Sequence, residues 1–314
     1  NQWVTLAQQT NMIVQTYAGT NWQMSLQLEA HQNIALDFSA TRGDGLFTAP
    51  THLDVAVGAP GLICYDGAVY TANALVEGQV GGYNWATAWS GSNTIGADGL
   101  AYQDDLKLLV TNGNRFVAIS AWRESHRLIN LATWPALQQD GCLAPDGTSI
   151  WLSVLLRQDG TQLQNCFGGI YLKNGKGGGT LYLGRAWGEP RWRIESGTGT
   201  NFYDVTTTDR ETALLVMRID FRTGNEQCYI WLNPSLGYTP PADAAALLFD
   251  KFDFTFNDVF LAAGFTDISV DELRIGESWA AVTPFQLIPE PSGLVPALSA
   301  LLLARRTVRR RGYN

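Results

Sequence analysis

Two acidic side chains spaced two residues apart on a strand point to the same face, where one carboxyl can act as acid and another as nucleophile or base on a glycosidic bond. The nearest such pair is Asp209 and Glu211. No third acid follows in step, and Thr206-Thr207-Thr208 precedes the pair, so it reads as the solvated entrance to a strand. Nucleophilic chemistry finds no better footing. Gly-x-Ser-x-Gly is absent, and His31, His52 and His126 stand apart, without His-x-His or His-Glu-x-x-His spacing. The loop Asn174-Gly175-Lys176-Gly177-Gly178-Gly179-Thr180 has the glycines of a phosphate loop. However, Ile170 stands where that motif needs its first glycine, and Gly177 where it needs Ser or Thr. Strand patterns flank the loop on both sides, which makes it a hairpin connection. Aromatic rings remain as binding candidates: Trp187 and Trp192 flank the turn Gly188-Glu189-Pro190, and exposed rings beside polar groups stack on the apolar faces of sugars. Trp151 and Trp231 fall inside apolar runs and are expected in the core.

The elements that must position these groups are strands. Of 314 residues, 46% are hydrophobic and only 16% charged, which excludes extensive disorder, and 32 glycines accompany 11 Trp and 11 Tyr. Strand-like runs recur at Lys107–Val110, Arg115–Ala121, Ser149–Arg157, Phe167–Lys173, Leu181–Arg185, Arg191–Ser196, Thr212–Phe221, Gln227–Leu232, Phe252–Ala262 and Ser269–Ile275. Turn pairs such as Asp140-Gly141, Asp146-Gly147 and Asp159-Gly160 separate them. No long helical stripe intervenes; the one candidate is a short turn at Ala242–Leu248. Many short strands without crossover helices mean an all-β, antiparallel sandwich or barrel. Upstream, Gln23–Leu28 alternates with period two, and Ile34–Phe38 is its expected partner. Arg42-Gly43-Asp44 reads as an ordinary polar turn. Residues 1–58 carry no assignment beyond a β-rich pattern, and the start at Asn1 reads as truncated or processed.

Charge and cysteines narrow the function classes. Lys plus Arg number 21 against 29 acids, a formal charge of −8, and the five arginines Arg305, Arg306, Arg309, Arg310 and Arg311 crowd the end; without them the charge is −13. An acidic body makes nucleic acid a poor partner. Cys64, Cys142, Cys166 and Cys228 form no Cys-x-x-Cys pair, which excludes zinc ribbons and leaves buried thiols or one to two disulfides open.

The run Asp271-Glu272-Leu273-Arg274-Ile275-Gly276-Glu277-Ser278-Trp279 through Pro284 resembles the closing strand of concanavalin A-like, laminin-G-like (LamG) domains of bacterial surface proteins. Gly81-Gly82-Tyr83-Asn84-Trp85 with Trp89-Ser90-Gly91, Ser149-Ile150-Trp151-Leu152-Ser153 and Tyr229-Ile230-Trp231-Leu232-Asn233-Pro234 fit the same pattern in order. The resemblance implies a two-sheet jelly roll over residues 59–284. Its enzymatic relatives carry Glu-x-Asp-x-x-Glu or Glu-x-Asp-x-Glu on one strand, a set missing here. Related sandwiches often hold one ion, so calcium is the expected cation, with Asp98, Asp104, Asp105 and Asp258 as candidate ligands. In the closing run itself, Asp271 and Glu272 are expected to solvate an edge strand, and Trp279 to fold against the sandwich.

The tail, residues 285–314, contains Pro289-Glu290-Pro291, a mostly apolar Ser292–Ala304 and the arginine cluster. This order resembles a PEP-CTERM sorting signal. The resemblance implies export, transient insertion of a short hydrophobic helix into the inner membrane and handling by an exosortase-type enzyme. The arginines stay cytoplasmic under the positive-inside bias. Together these features predict an exported surface or extracellular-matrix protein whose non-catalytic jelly roll serves adhesion or binds a glycan. A diverged glycoside hydrolase or polysaccharide lyase and a purely structural surface module are the alternatives.

Overall fold

The computed structural model describes residues 61–118, 122–143, 145–159, 166–175, 179–185, 187, 191–196, 210–250 and 253–288, and the backbone of 3–4, 14–15, 34–38, 51–55 and 202–206. The sorting-signal residues Pro289, Glu290, Pro291, Arg305, Arg306, Arg309, Arg310 and Arg311 lie outside the described residues, as do the hydrophobic segment, Asp209 and the Arg-Gly-Asp triplet. Among the described residues no helix is long and apolar enough to cross a membrane.

Fifteen strands build two antiparallel sheets. They are β1 (Leu62–Asp66), β2 (Ser90–Gly91), β3 (Thr94–Gly96), β4 (Arg115–Ala118), β5 (Arg123–Leu128), β6 (Ser149–Gln158), β7 (Phe167–Lys173) and β8 (Thr180–Arg185). They continue with β9 (Arg191–Ser196), β10 (Phe202–Thr206), β11 (Ala213–Asp220), β12 (Gln227–Leu232), β13 (Leu247–Phe249), β14 (Asp258–Gly264) and β15 (Ile268–Gly276). One sheet runs β10-β9-β8-β7-β14-β5-β2; the other runs β13-β12-β11-β6-β15-β4-β3, with β1 also paired to β15. The chain passes repeatedly from sheet to sheet, giving the all-β jelly-roll sandwich expected.

Alternation explains the core. Ile170, Leu172, Leu181, Leu183, Trp192, Ile194, Val259 and Leu261 of the seven-stranded sheet pack against Ile150, Leu152, Val154, Leu215, Met217, Ile219, Val270 and Ile275 of the other. The second sheet is covered on its outer face too. Trp151, Leu155, Val216 and Trp231 pack there under Leu100, Leu109, Leu236, Trp279 and Val282. That double burial explains the near-continuous apolar run of β6. Trp279 folds against the sandwich as expected, its indole N–H donating to the Gly237 carbonyl at 2.8 Å.

The structure departs from the sequence reading of several elements. Ile34–Phe38 pairs with Thr51–Val55, because alternation alone does not select a partner. The run read as Phe252–Ala262 begins its strand only at Asp258. Asp271 and Glu272 are fully buried rather than solvating an edge. A bulge in β15, with Glu272 at φ 53°, turns both carboxylates under residues 99–112. There Asp271 accepts the Leu100 N–H at 2.7 Å, Glu272 accepts the Asn112 N–H, and Arg274 donates to Glu272 and to the Val110 carbonyl. All four cysteines are buried thiols.

Buried carboxyls set the expected pH dependence of stability. Burial pushes Asp66, Asp271 and Glu272 above the usual carboxylate range. Burial, with Asp253 and Asp146 nearby, raises Glu226 to about 7. A raised carboxyl binds its proton more tightly folded than unfolded. Its stabilising effect is therefore complete below the unfolded value and lost as pH climbs through the folded one. Thermal unfolding between pH 5 and pH 8 is expected to show the higher Tm at pH 5; a Tm that rises toward pH 8 would contradict this account.

Candidate functional site

The outer face of the seven-stranded sheet carries its own small apolar cluster, Phe167, Tyr182 and Ala262, with Tyr171 packed against it. Register places His126, Phe260, Tyr171, Tyr182 and Glu195 side by side across β5, β14, β7, β8 and β9. The neighbouring row holds Glu124, Ala262, Gly169, Gly184 and Arg193. Small residues in that row give the rings room to lie flat. A Cβ at Gly184 would sit 2.7 Å from the Tyr182 hydroxyl, and one at Gly264 would sit 2.5 Å from the Phe167 ring and 2.9 Å from that of Trp122. The Tyr182 hydroxyl accepts the Gly168 N–H at 3.1 Å and donates to the Arg185 carbonyl at 2.6 Å, fixing the ring against the sheet.

Above this floor the rings of Trp122, Phe167, Trp187 and Phe265 converge, with centroids 4.9 Å apart for Trp122–Phe167, 6.0 Å for Phe167–Trp187 and 5.9 Å for Trp187–Phe265. Trp122 is 62%, Phe265 51% and Trp187 47% exposed. Together with Tyr171, Thr180, Tyr182, Glu195 and Ser196, three of the four line a hollow of about 290 Å³. Trp122 and Phe265 also hold left-handed backbone conformations, φ 54° and 60°. For bulky residues that conformation costs about 1–3 kcal/mol each, and such strain clusters at ligand clamps.

Acids and bases both border the hollow, with Glu195 in its lining and Glu124 and Arg193 in the neighbouring row. Burial, reinforced by Glu195 and Glu124, pushes the Tyr171 hydroxyl up to about 12. At the far end of the aromatic row, His126 Nδ1 meets Asp258 at 3.1 Å, its ring stacked 4.5 Å over Phe260. Lys173 stands 3.5 Å above the same Phe260 ring.

The expected site residues part company here. Trp187 lies in the hollow. Trp192 does not: with Ile194 it faces the core, 1% exposed, because even-numbered positions of β9 point inward at that end. The four aspartates are not brought together. Burial would raise Asp104, but the Leu106, Leu236 and Lys107 N–H groups and the Lys107 ammonium outweigh it and hold its carboxyl below the usual range. Asp98 and Asp105 are exposed in loops, and Asp258 sits on the other sheet, facing His126. Among the described residues no group of three or more His, Cys, Asp or Glu is placed to hold a metal ion. Sequence reasoning missed Trp122, Phe167 and Phe265. The available signal was an aromatic at each strand end, with Phe265 inside the turn Gly264-Phe265-Thr266-Asp267.

No family model matches the chain, and no curated protein does. Among solved structures it is similar to the galectin LEC-6 of Caenorhabditis elegans, with 12% identity over 44% of this chain and 91% of that one, at a TM-score of 0.28. Lectin II from Ulex europaeus has 10% identity over 63% of this chain and 94% of that one, at 0.36. The Trypanosoma rangeli sialidase has 11% identity over 73% of this chain, at 0.40; the chain spans 33% of that enzyme.

Proposed function

We propose that this protein is a non-catalytic carbohydrate-binding body, exported and sorted through its C-terminal tail. The observation that carries the binding role is the aromatic hollow over the seven-stranded sheet, where the exposed rings of Trp122 and Trp187 meet the buried Phe167 and Trp122 is held in strained backbone. Flat rings cover the apolar faces of a sugar, while Glu195 and Thr180 border the hollow as polar groups for its hydroxyls. Glu124 on β5 and Glu195 on β9 do not form a glycosidase pair with each other, because they lie four strand spacings apart, about 19 Å along the sheet. A glycosidase pair needs about 5–9.5 Å.

The test is titration calorimetry against a panel of neutral and uronic polysaccharides. Trp122→Ala and Trp187→Ala are each expected to weaken binding about tenfold, ~1.4 kcal/mol. Unchanged affinity in both would remove the hollow as the site, and sugar release on incubation would replace binding by catalysis. For the tail, mass spectrometry of the released protein in a host with the matching processing enzyme is expected to show loss of Asn314. An intact C-terminus on the extracellular form would overturn the sorting role.

A further inference from the structure

We propose that the apolar edge formed by Leu106, Tyr238, Leu287 and Ile288 is a lipid-contacting collar that seats the body on a bilayer; this rests on the reading of Ser292–Ala304 as a membrane-inserting segment. The edge is a single place. The strand Phe285–Leu287 pairs with Lys107–Leu109, the Ile288 N–H donates to the Leu106 carbonyl at 2.8 Å, and the Tyr238 ring lies 5.0 Å from that of Phe285. Tyr238 is 71%, Leu287 68%, Leu106 64% and Ile288 38% exposed. Consecutive strand residues face opposite ways, so Leu287 and Ile288 put apolar groups on both faces of the ribbon's end.

The chain itself specifies lipid as the occupant. Only Pro289-Glu290-Pro291 separates Ile288 from the apolar segment, so Ile288 and Ser292 lie at most about 14 Å apart. Thirteen residues rise about 20 Å at helical pitch against a hydrocarbon core of about 30 Å. The shortfall draws the flanking residues toward the interface, where an exposed tyrosine and leucines are favoured. Charge contributes little. Lys107 is paired with Asp104 at 3.9 Å and Asp105 stands beside them, so the contact is apolar and is expected to be independent of anionic lipid and of salt.

The experiment uses the full chain reconstituted into phosphatidylcholine vesicles. Because all four native cysteines are buried, a thiol-reactive NBD dye can be directed to Leu106→Cys, Leu287→Cys or, as a control at the far end of β12, Thr223→Cys. The labels at 106 and 287 are expected to shift to the blue and to be quenched by brominated acyl chains at least twofold, while the label at 223 stays in water. If the chain floats with the vesicles and all three labels stay in water, the collar is wrong while insertion of the tail stands. A chain that does not float overturns both. A blue shift at 106 and 287 without vesicles, rising with protein concentration, would assign the edge to a second copy of the chain instead.

Discussion

Arg127→Ala is expected to cost about 3–5 kcal/mol of folding free energy, because it leaves a carboxylate buried without its counter-charge. Arg127 lies on β5 and Asp66 on β1, so the pair ties the two sheets together through the core. Asp66 Oδ2 accepts from Arg127 Nη1 at 2.9 Å, Tyr70 Oη at 2.7 Å and Trp89 Nε1 at 2.8 Å. Arg127 also donates to the Thr87 and Gly81 carbonyls, and its guanidinium lies 5.3 Å from the Trp85 ring centroid. One side chain thus holds the long connection between β1 and β2 in place. Guanidinium denaturation with an unchanged m value should report the loss, equivalent to roughly 10 °C in Tm. The double variant Asp66→Asn with Arg127→Met should recover part of it, since no unpaired charge then remains. A loss below about 1 kcal/mol for Arg127→Ala would mean that water reaches Asp66, and the interpretation of a sealed pair would fail.

Trp192→Ala and Trp187→Ala should behave in opposite ways although only five positions separate them. Trp192 is buried between the sheets, so its truncation opens a cavity and is expected to cost about 3–5 kcal/mol of stability. Trp187 stands in the open hollow against Phe167 and Phe265, so its truncation should leave stability within about 1 kcal/mol and show its effect in glycan affinity. Parallel denaturation and binding titrations separate the two. Loss of binding with full stability in Trp192→Ala would mean that the two faces of β9 had been exchanged.

Those two tryptophans show where sequence reading stops. Both flank one turn, and both carry the chemistry for stacking on a sugar. The alternation in Arg191-Trp192-Arg193-Ile194-Glu195 already pairs Trp192 with Ile194 on an apolar face, a signal outweighed by proximity to the turn. Trp122 and Phe265 gave less warning, because a left-handed backbone at a bulky residue goes against local preference and is imposed by the surrounding packing. The same limit applies to Asp271 and Glu272: two adjacent acids in a strand read as solvated until the segment that covers them is known.

What the sequence alone determined is the class of fold. Period-two alternation and Asp-Gly turns are local properties, each set by a few residues and their backbone preferences, so the antiparallel sandwich and the burial of Trp151, Trp231 and Trp279 could be read without coordinates. Only the tertiary structure decided which face is sealed. The outer face of one sheet is sealed by residues 99–112, 233–246 and 278–287, while the other carries the hollow with the exposed rings of Trp122 and Trp187, and that choice rests on contacts between residues far apart in the chain. The aromatic hollow is a consequence of it, because Trp122, Phe167 and Trp187, and Phe265 beside them, belong to four separate segments that meet only once both sheets have formed.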